Sequence, residues 1–128
     1  MSIKRTKTLS TKRTLIVARY NYVLDYKYNC TPSGYSISFW ASSDTYPKTV
    51  LPVMTAESWI KKWSGIRWAD SCYAGDTDWY TDSVNASAGP ITLQSGTYKQ
   101  FANFEGYHTD YMWYEEYHDE ESSFSIPY

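Results

Sequence analysis

From Thr14 onward the chain alternates. Thr14, Ile16, Ala18, Tyr20, Tyr22, Leu24, Tyr26 and Tyr28 fall on even positions, while Arg19, Asn21, Asp25, Lys27 and Asn29 fall on odd ones. Successive side chains of a strand point to opposite faces. This period therefore predicts a long strand, or two joined at a bend, with one buried face. Pro32 and Gly34 in CTPSGY then supply a turn, after which Tyr35, Ile37 and Phe39 alternate with Ser36 and Ser38. The flanking segments read as a hairpin.

Beyond the polar stretch SSDTYPK, a short extended segment TVLPV leads into a region that predicts one short helix near 56–64. Thr55 is placed to cap it, Glu57 lies in its first turn and Gly65 follows as a stop. Trp59, Ile60 and Trp63 would share one face, with Lys61 and Lys62 turned outward. So short a helix has to pack on a sheet to persist.

Alternation resumes at Ile66, Trp68, Asp70 and Cys72. The stretch YAGDTDWYTDSVNASAGP reads as loop with a short strand at 78–81, and ITLQSGTYKQFANF as a second hairpin turning at Ser95-Gly96. In YHTDYMWYEEYHD, Tyr107, Tyr111, Trp113 and Tyr117 occupy odd positions, and His108, Asp110, Glu116 and His118 even ones, which favours a strand. A helical reading through Tyr107, Tyr111, Tyr114 and His118 stays open. About eight strands with short loops and one helix define an all-β fold, a sandwich or jelly-roll-like arrangement. The alternative is an α+β domain, an antiparallel sheet with a packed helix.

Composition strengthens the β reading. The 128 residues include 14 Tyr, 6 Trp and 4 Phe, and such rings suit pleated, half-buried surfaces. They also exceed what the core of one small domain can enclose, so some are expected at contacts. Trp59 and Trp68 are assigned to core and edge packing. Trp79, Tyr80 and Trp113 are the candidates for aromatic contact.

Charge is distributed by position. Lys4, Arg5, Lys7, Lys12 and Arg13 make residues 1–13 purely basic, and residues 14–104 balance seven basic against seven acidic side chains. Residues 105–128 carry Glu105, Asp110, Glu115, Glu116, Asp119, Glu120 and Glu121 without Lys or Arg. The chain thus divides into a basic N-terminal arm, 1–13, and a single β-rich domain, 14–128, that ends in an acidic aromatic segment. The arm can meet nucleic acid through its phosphates or a neighbouring subunit through its acidic tail. Asp110, Glu115, Glu116, Asp119, Glu120 and Glu121 form the matching acidic interaction face.

Several function classes are disfavoured. The apolar run TLIVA is too short for a signal peptide, and no membrane span is present, so intracellular synthesis, with a place in a virion as one destination, is expected. Cys30 and Cys72 are then expected to be free thiols. No nucleophile elbow, phosphate loop, dinucleotide fingerprint or zincin motif occurs. Asp76, Asp78 and Asp82 fail the calcium-loop pattern, because Thr81 stands where the loop needs glycine. No cofactor, metal or catalytic residue is assigned.

Three features together indicate a non-enzymatic, self-assembling structural subunit, of the virion shell (capsid) or filament type: a basic arm, a β-rich body and an acidic end. Such a subunit is a homo-oligomer, with nucleic acid as a possible partner of the arm. The alternative is a binding module. It would hold carbohydrate through the Trp79 loop, or act as an acidic nucleic-acid mimic that inhibits another protein.

Overall fold

The computed structural model describes residues 9–17, 22–107, 114–120 and 122–128. They form β1 (Leu9–Val17), β2 (Tyr22–Ser33), β3 (Ser36–Tyr46), β4 (Leu51–Trp63), β5 (Trp68–Thr81), β6 (Ser83–Thr92), β7 (Gly96–Tyr107), β8 (Tyr114–Glu120) and β9 (Phe124–Ile126). Every pairing is antiparallel. The back sheet runs β1-β2-β3-β6, and the front sheet β5-β4-β7-β8, with β9 continuing beyond β8 along the same side of β7. The fold is all-β, as the alternation implies.

The helix expected near 56–64 is instead the second half of β4. Met54, Ala56, Ser58 and Ile60 are buried, while Thr55, Glu57, Trp59 and Lys61 are half-buried on the other side. Ile60 and Trp59 therefore part company, where a helix would have kept them together. β4 is a central strand, flanked by β5 and β7. A ladder on both sides satisfies its backbone, and a short isolated helix cannot compete with that. Thr55, read as a helix cap, instead shares a hydroxyl hydrogen bond of 2.9 Å with Thr77 across the strands.

Other expectations are revised by register. The run beginning at Thr14 is not one strand. β1 and β2 are antiparallel neighbours, with Thr14 opposite Asp25 and Ile16 opposite Val23. The expected hairpin between β2 and β3 is present, with Gly34 at φ 58° in its two-residue turn. The second hairpin is absent, because β6 belongs to the back sheet and β7 to the front one, so residues 93–95 cross between layers. The stretch read as mostly loop, 73–90, lies largely within β5 and β6.

The two sheets pack face to face over one continuous core. Phe104 of the front sheet meets Tyr26 and Tyr28 of the back sheet, at centroid separations of 4.8 and 6.5 Å. Cys30 and Cys72 lie one in each sheet and are not joined by a disulfide. β5 lies beside β6 along one side of the sandwich, and β2 faces β7, so β1 and β8 edge the opposite side.

One buried polar residue ties the layers together. Gln100 of β7 is fully buried, and its Nε2 donates to the carbonyls of Asn29 (3.1 Å) and Trp40 (3.2 Å) and to Ser58 Oγ (3.0 Å). Ser58 in turn donates to the Phe101 carbonyl at 2.9 Å. Replacing Gln100 by Leu removes the donor and strands its acceptors. The expected loss is about 1–3 kcal/mol in urea unfolding, despite the gain in side-chain hydrophobicity.

Candidate interaction surfaces

Sheet edges carry the charge that the sequence segregates. Lys12 and Arg13 lie within β1, opposite Lys27 and Tyr26, rather than in a free arm. Lys4, Arg5 and Lys7 lie outside the described residues. Glu115, Glu116, Asp119 and Glu120 lie in β8, opposite Gly106, Glu105, Ala102 and Phe101. Asp110, Trp113 and Glu121 lie outside the described residues. Glu120 accepts a hydrogen bond of 3.0 Å from Lys99 of the adjacent strand.

β1 and β8 are both terminal strands of their sheets, so among the described residues each has a ladder partner on one side only. Within its span β1 has two cations and no anion, and β8 has four carboxylates and no Lys or Arg. An unpaired edge is a template for another strand, and like charge along it discourages pairing with its own kind. These edges differ in sign.

The outer face of the front sheet gathers aromatic residues that the sequence leaves scattered. Trp63 and Trp68 are 5.3 Å apart between centroids, Trp68 and Phe101 6.1 Å, and Trp59 and Tyr73 5.4 Å. Two lysines interleave with them. Lys61 Nζ lies 4.7 Å from the Phe101 centroid and 5.7 Å from that of Trp59, while Lys99 Nζ lies 4.7 Å from that of Trp68. Each is also ion-paired, Lys61 to Asp70 at 3.5 Å and Lys99 to Glu120 at 3.0 Å. Trp59 and Trp68, assigned to core and edge packing, are thus half-buried members of this outer face.

Toward the other end of the face the rings give way to hydrogen-bonding groups. Tyr73 Oη donates to Glu57 Oε2 at 2.8 Å, and Asn103 Nδ2 donates to Glu57 Oε1 and Glu105 Oε1, each at 3.1 Å. Gly75 stands opposite Glu57 and makes this possible, because a Cβ there would collide with the Tyr73 hydroxyl. Trp79, 68% exposed, closes the face opposite Val53, with Tyr107 on that strand's other side. Tyr80 is also exposed, at the end of β5 with φ 50°.

Trp79 and Asp78, adjacent in the sequence, do not belong to one site. They are neighbours on a strand rather than a loop, and alternation sends them to opposite faces. Asp78 and Asp76 instead border a cleft of about 380 Å³ at the β5–β6 side, with Asp44, Lys27 and Asn85. Among the described residues no three His, Cys, Asp or Glu side chains come together as a metal site.

Tyr73 reports on the centre of the front face. Partial burial, its hydrogen bond to Glu57 and the charges of Glu57 and Glu105 push its hydroxyl from 10.0 up to about 12. The shift has a definite sign. A raised value in the folded state means that this contribution is intact below pH 10 and is lost as pH climbs toward 12. Glu57→Gln removes the carboxylate charge and should return the tyrosinate ultraviolet transition part of the way toward pH 10, while Gly75→Ala should do so by displacing the hydroxyl. A titration unchanged in both variants would contradict the contact.

No helix among the described residues is long and apolar enough to cross a membrane. Comparisons with protein-family models, with curated proteins and with solved structures gave no match.

Proposed function

We propose that the chain is a non-enzymatic structural subunit that assembles with copies of itself through its outermost strands, β1 and β8. The observation that carries this reading is the opposite charge of two edges, open among the described residues, that lie on one side of the sandwich. A β1–β1 or β8–β8 pairing brings like charges together, whereas β1 against a neighbour's β8 brings cations to carboxylates. Attraction toward one edge and repulsion from the other specify the partner strand.

Placing both edges on one side has a geometric consequence. Two copies related by a two-fold axis can pair β1 with β8 twice over, extending each sheet into the opposite sheet of its neighbour. The dimer then becomes the unit from which a shell or filament is built. The other basic residues of the N-terminal segment, Lys4, Arg5 and Lys7, are left to engage phosphates, as a virion-type subunit requires.

Sedimentation of the full-length protein, with and without a labelled oligonucleotide, tests both parts. The expected result is a dimer without nucleic acid, and oligonucleotide binding that weakens steeply as salt rises. A monomer throughout the accessible concentration range would overturn the assembly reading. A dimer that ignores the oligonucleotide would remove the nucleic-acid role alone.

A further inference from the structure

The outer face of the front sheet, a surface distinct from the β1 and β8 strand edges, carries a separate inference. Its rings cluster at one end around Trp59, Trp68 and Phe101 and reappear at the other in Trp79 and Tyr107. Between them stand Glu57, Asn103, Glu105, the Tyr73 hydroxyl and the Thr55–Thr77 pair. Tyr73 and Trp79 are on the same strand with no further register shift between them, so the face extends about 20 Å at the rise of a β-strand. We infer that this face is a carbohydrate-binding site for an extended, neutral polysaccharide lying along the strands.

The chemistry of a pyranose explains the alternation. Its flat C–H faces stack on indole and phenol rings, which combine apolar area with defined orientation. Its equatorial hydroxyls need acceptors at the ring edge, and carboxylates are the strongest acceptors that side chains supply. A protein partner fits less well, because interface cores are depleted in Lys and Glu, which are interleaved with the rings here. The Glu57–Glu105 pair also opposes an acidic polymer, since Lys61 and Lys99 at the other end already have carboxylate partners.

The carboxylates are held in place at a cost to the protein. Asn103 is only 4% exposed, and its amide is turned so that Nδ2 serves both Glu57 and Glu105. Its Oδ1 is thereby buried without a hydrogen-bond partner among the described residues. Such an atom is costly, and here the same amide group holds two carboxylates side by side on the outer face. Gly75 serves the same end, since only the missing Cβ lets Tyr73 reach Glu57.

Affinity electrophoresis of the full-length protein tests the inference, using native gels cast with a soluble β-glucan, with polygalacturonate or with no polymer. Retardation by the glucan alone is expected. Trp79→Ala, at an exposed position, should weaken it about tenfold, as loss of one stacked ring implies. Glu57→Gln should also weaken it, through loss of the charged acceptor. Failure of the glucan to retard the wild-type protein would overturn the inference, as would equal retardation of Trp79→Ala. Stronger retardation by polygalacturonate would reverse the assigned charge preference. None of these outcomes depends on whether the protein dimerises, so the two readings fail separately.

Discussion

Reversing the charge of one edge, with Lys12→Glu and Arg13→Glu together, should convert the dimer to a monomer. Each copy would then present acidic side chains on both β1 and β8, and each contact of the pair would bring like charges together. Juxtaposed like charges at an interface cost several kcal/mol, so association should weaken by about a hundredfold or more. The complementary protein, with Glu115→Lys, Glu116→Lys and Asp119→Lys together, carries a net positive β8 and should be monomeric for the mirror-image reason. Mixing the two should restore a dimer containing one copy of each, because every acidic edge then finds a basic one. This rescue separates a charge-specific contact from a general loss of structure, which no partner would repair. Light scattering on the single proteins and on the mixture reads the result, and a mixture that stays monomeric contradicts reciprocal pairing.

Phe104→Ala should produce the largest loss of stability. Phe104 is fully buried, and its ring packs against Tyr26 and Tyr28 of the facing sheet. Truncation removes apolar contact from both layers and leaves a cavity that flanking strands cannot close without breaking their ladders. Such changes cost about 3–5 kcal/mol. A domain of this size has about 5–15 kcal/mol in total, so the midpoint of urea unfolding should fall sharply with little change in slope. Phe104→Leu should cost less, since it keeps most of the volume. A small effect from the alanine variant would mean that the sheets are not joined through this ring.

The alternation of apolar and polar positions made the β architecture legible, and its clearest case is β2, where Tyr22, Leu24, Tyr28 and Cys30 all point inward. The same signal was present in β4, where Met54, Ala56, Ser58 and Ile60 alternate with Thr55, Glu57 and Trp59. There it was obscured by a cap-like Thr, an early Glu and a following Gly, all of which are local cues. What overrode them is non-local, the ladders on both sides supplied by β5 and β7. The crossover at 93–95 was hidden for a related reason. Ser95-Gly96 has the composition of a hairpin turn, yet the strands on either side enter different sheets.

The interaction surfaces were legible only in part. Segregated charge was visible in the sequence, but not that Lys12 and Arg13 belong to an edge strand, because that depends on which strands remain outermost. The front face could not be seen, since Glu57, Tyr73 and Asn103 converge only through register. Trp79 stands beside Asp78 in the sequence, but the pleat sends the two side chains to opposite faces. Reading 51–63 as a strand would have placed Glu57 and Trp59 together on one outward face.

Hydrogen exchange, followed as protein concentration is raised through the dimerisation range, tests the central claim most directly. Amides of Leu9–Val17 and Tyr114–Glu120 should gain protection together as copies associate, while those of β5 and β6 on the far side stay as they were. Protection of these two strands that does not vary with concentration, or a gain confined to other strands, would contradict pairing of β1 with a neighbour's β8.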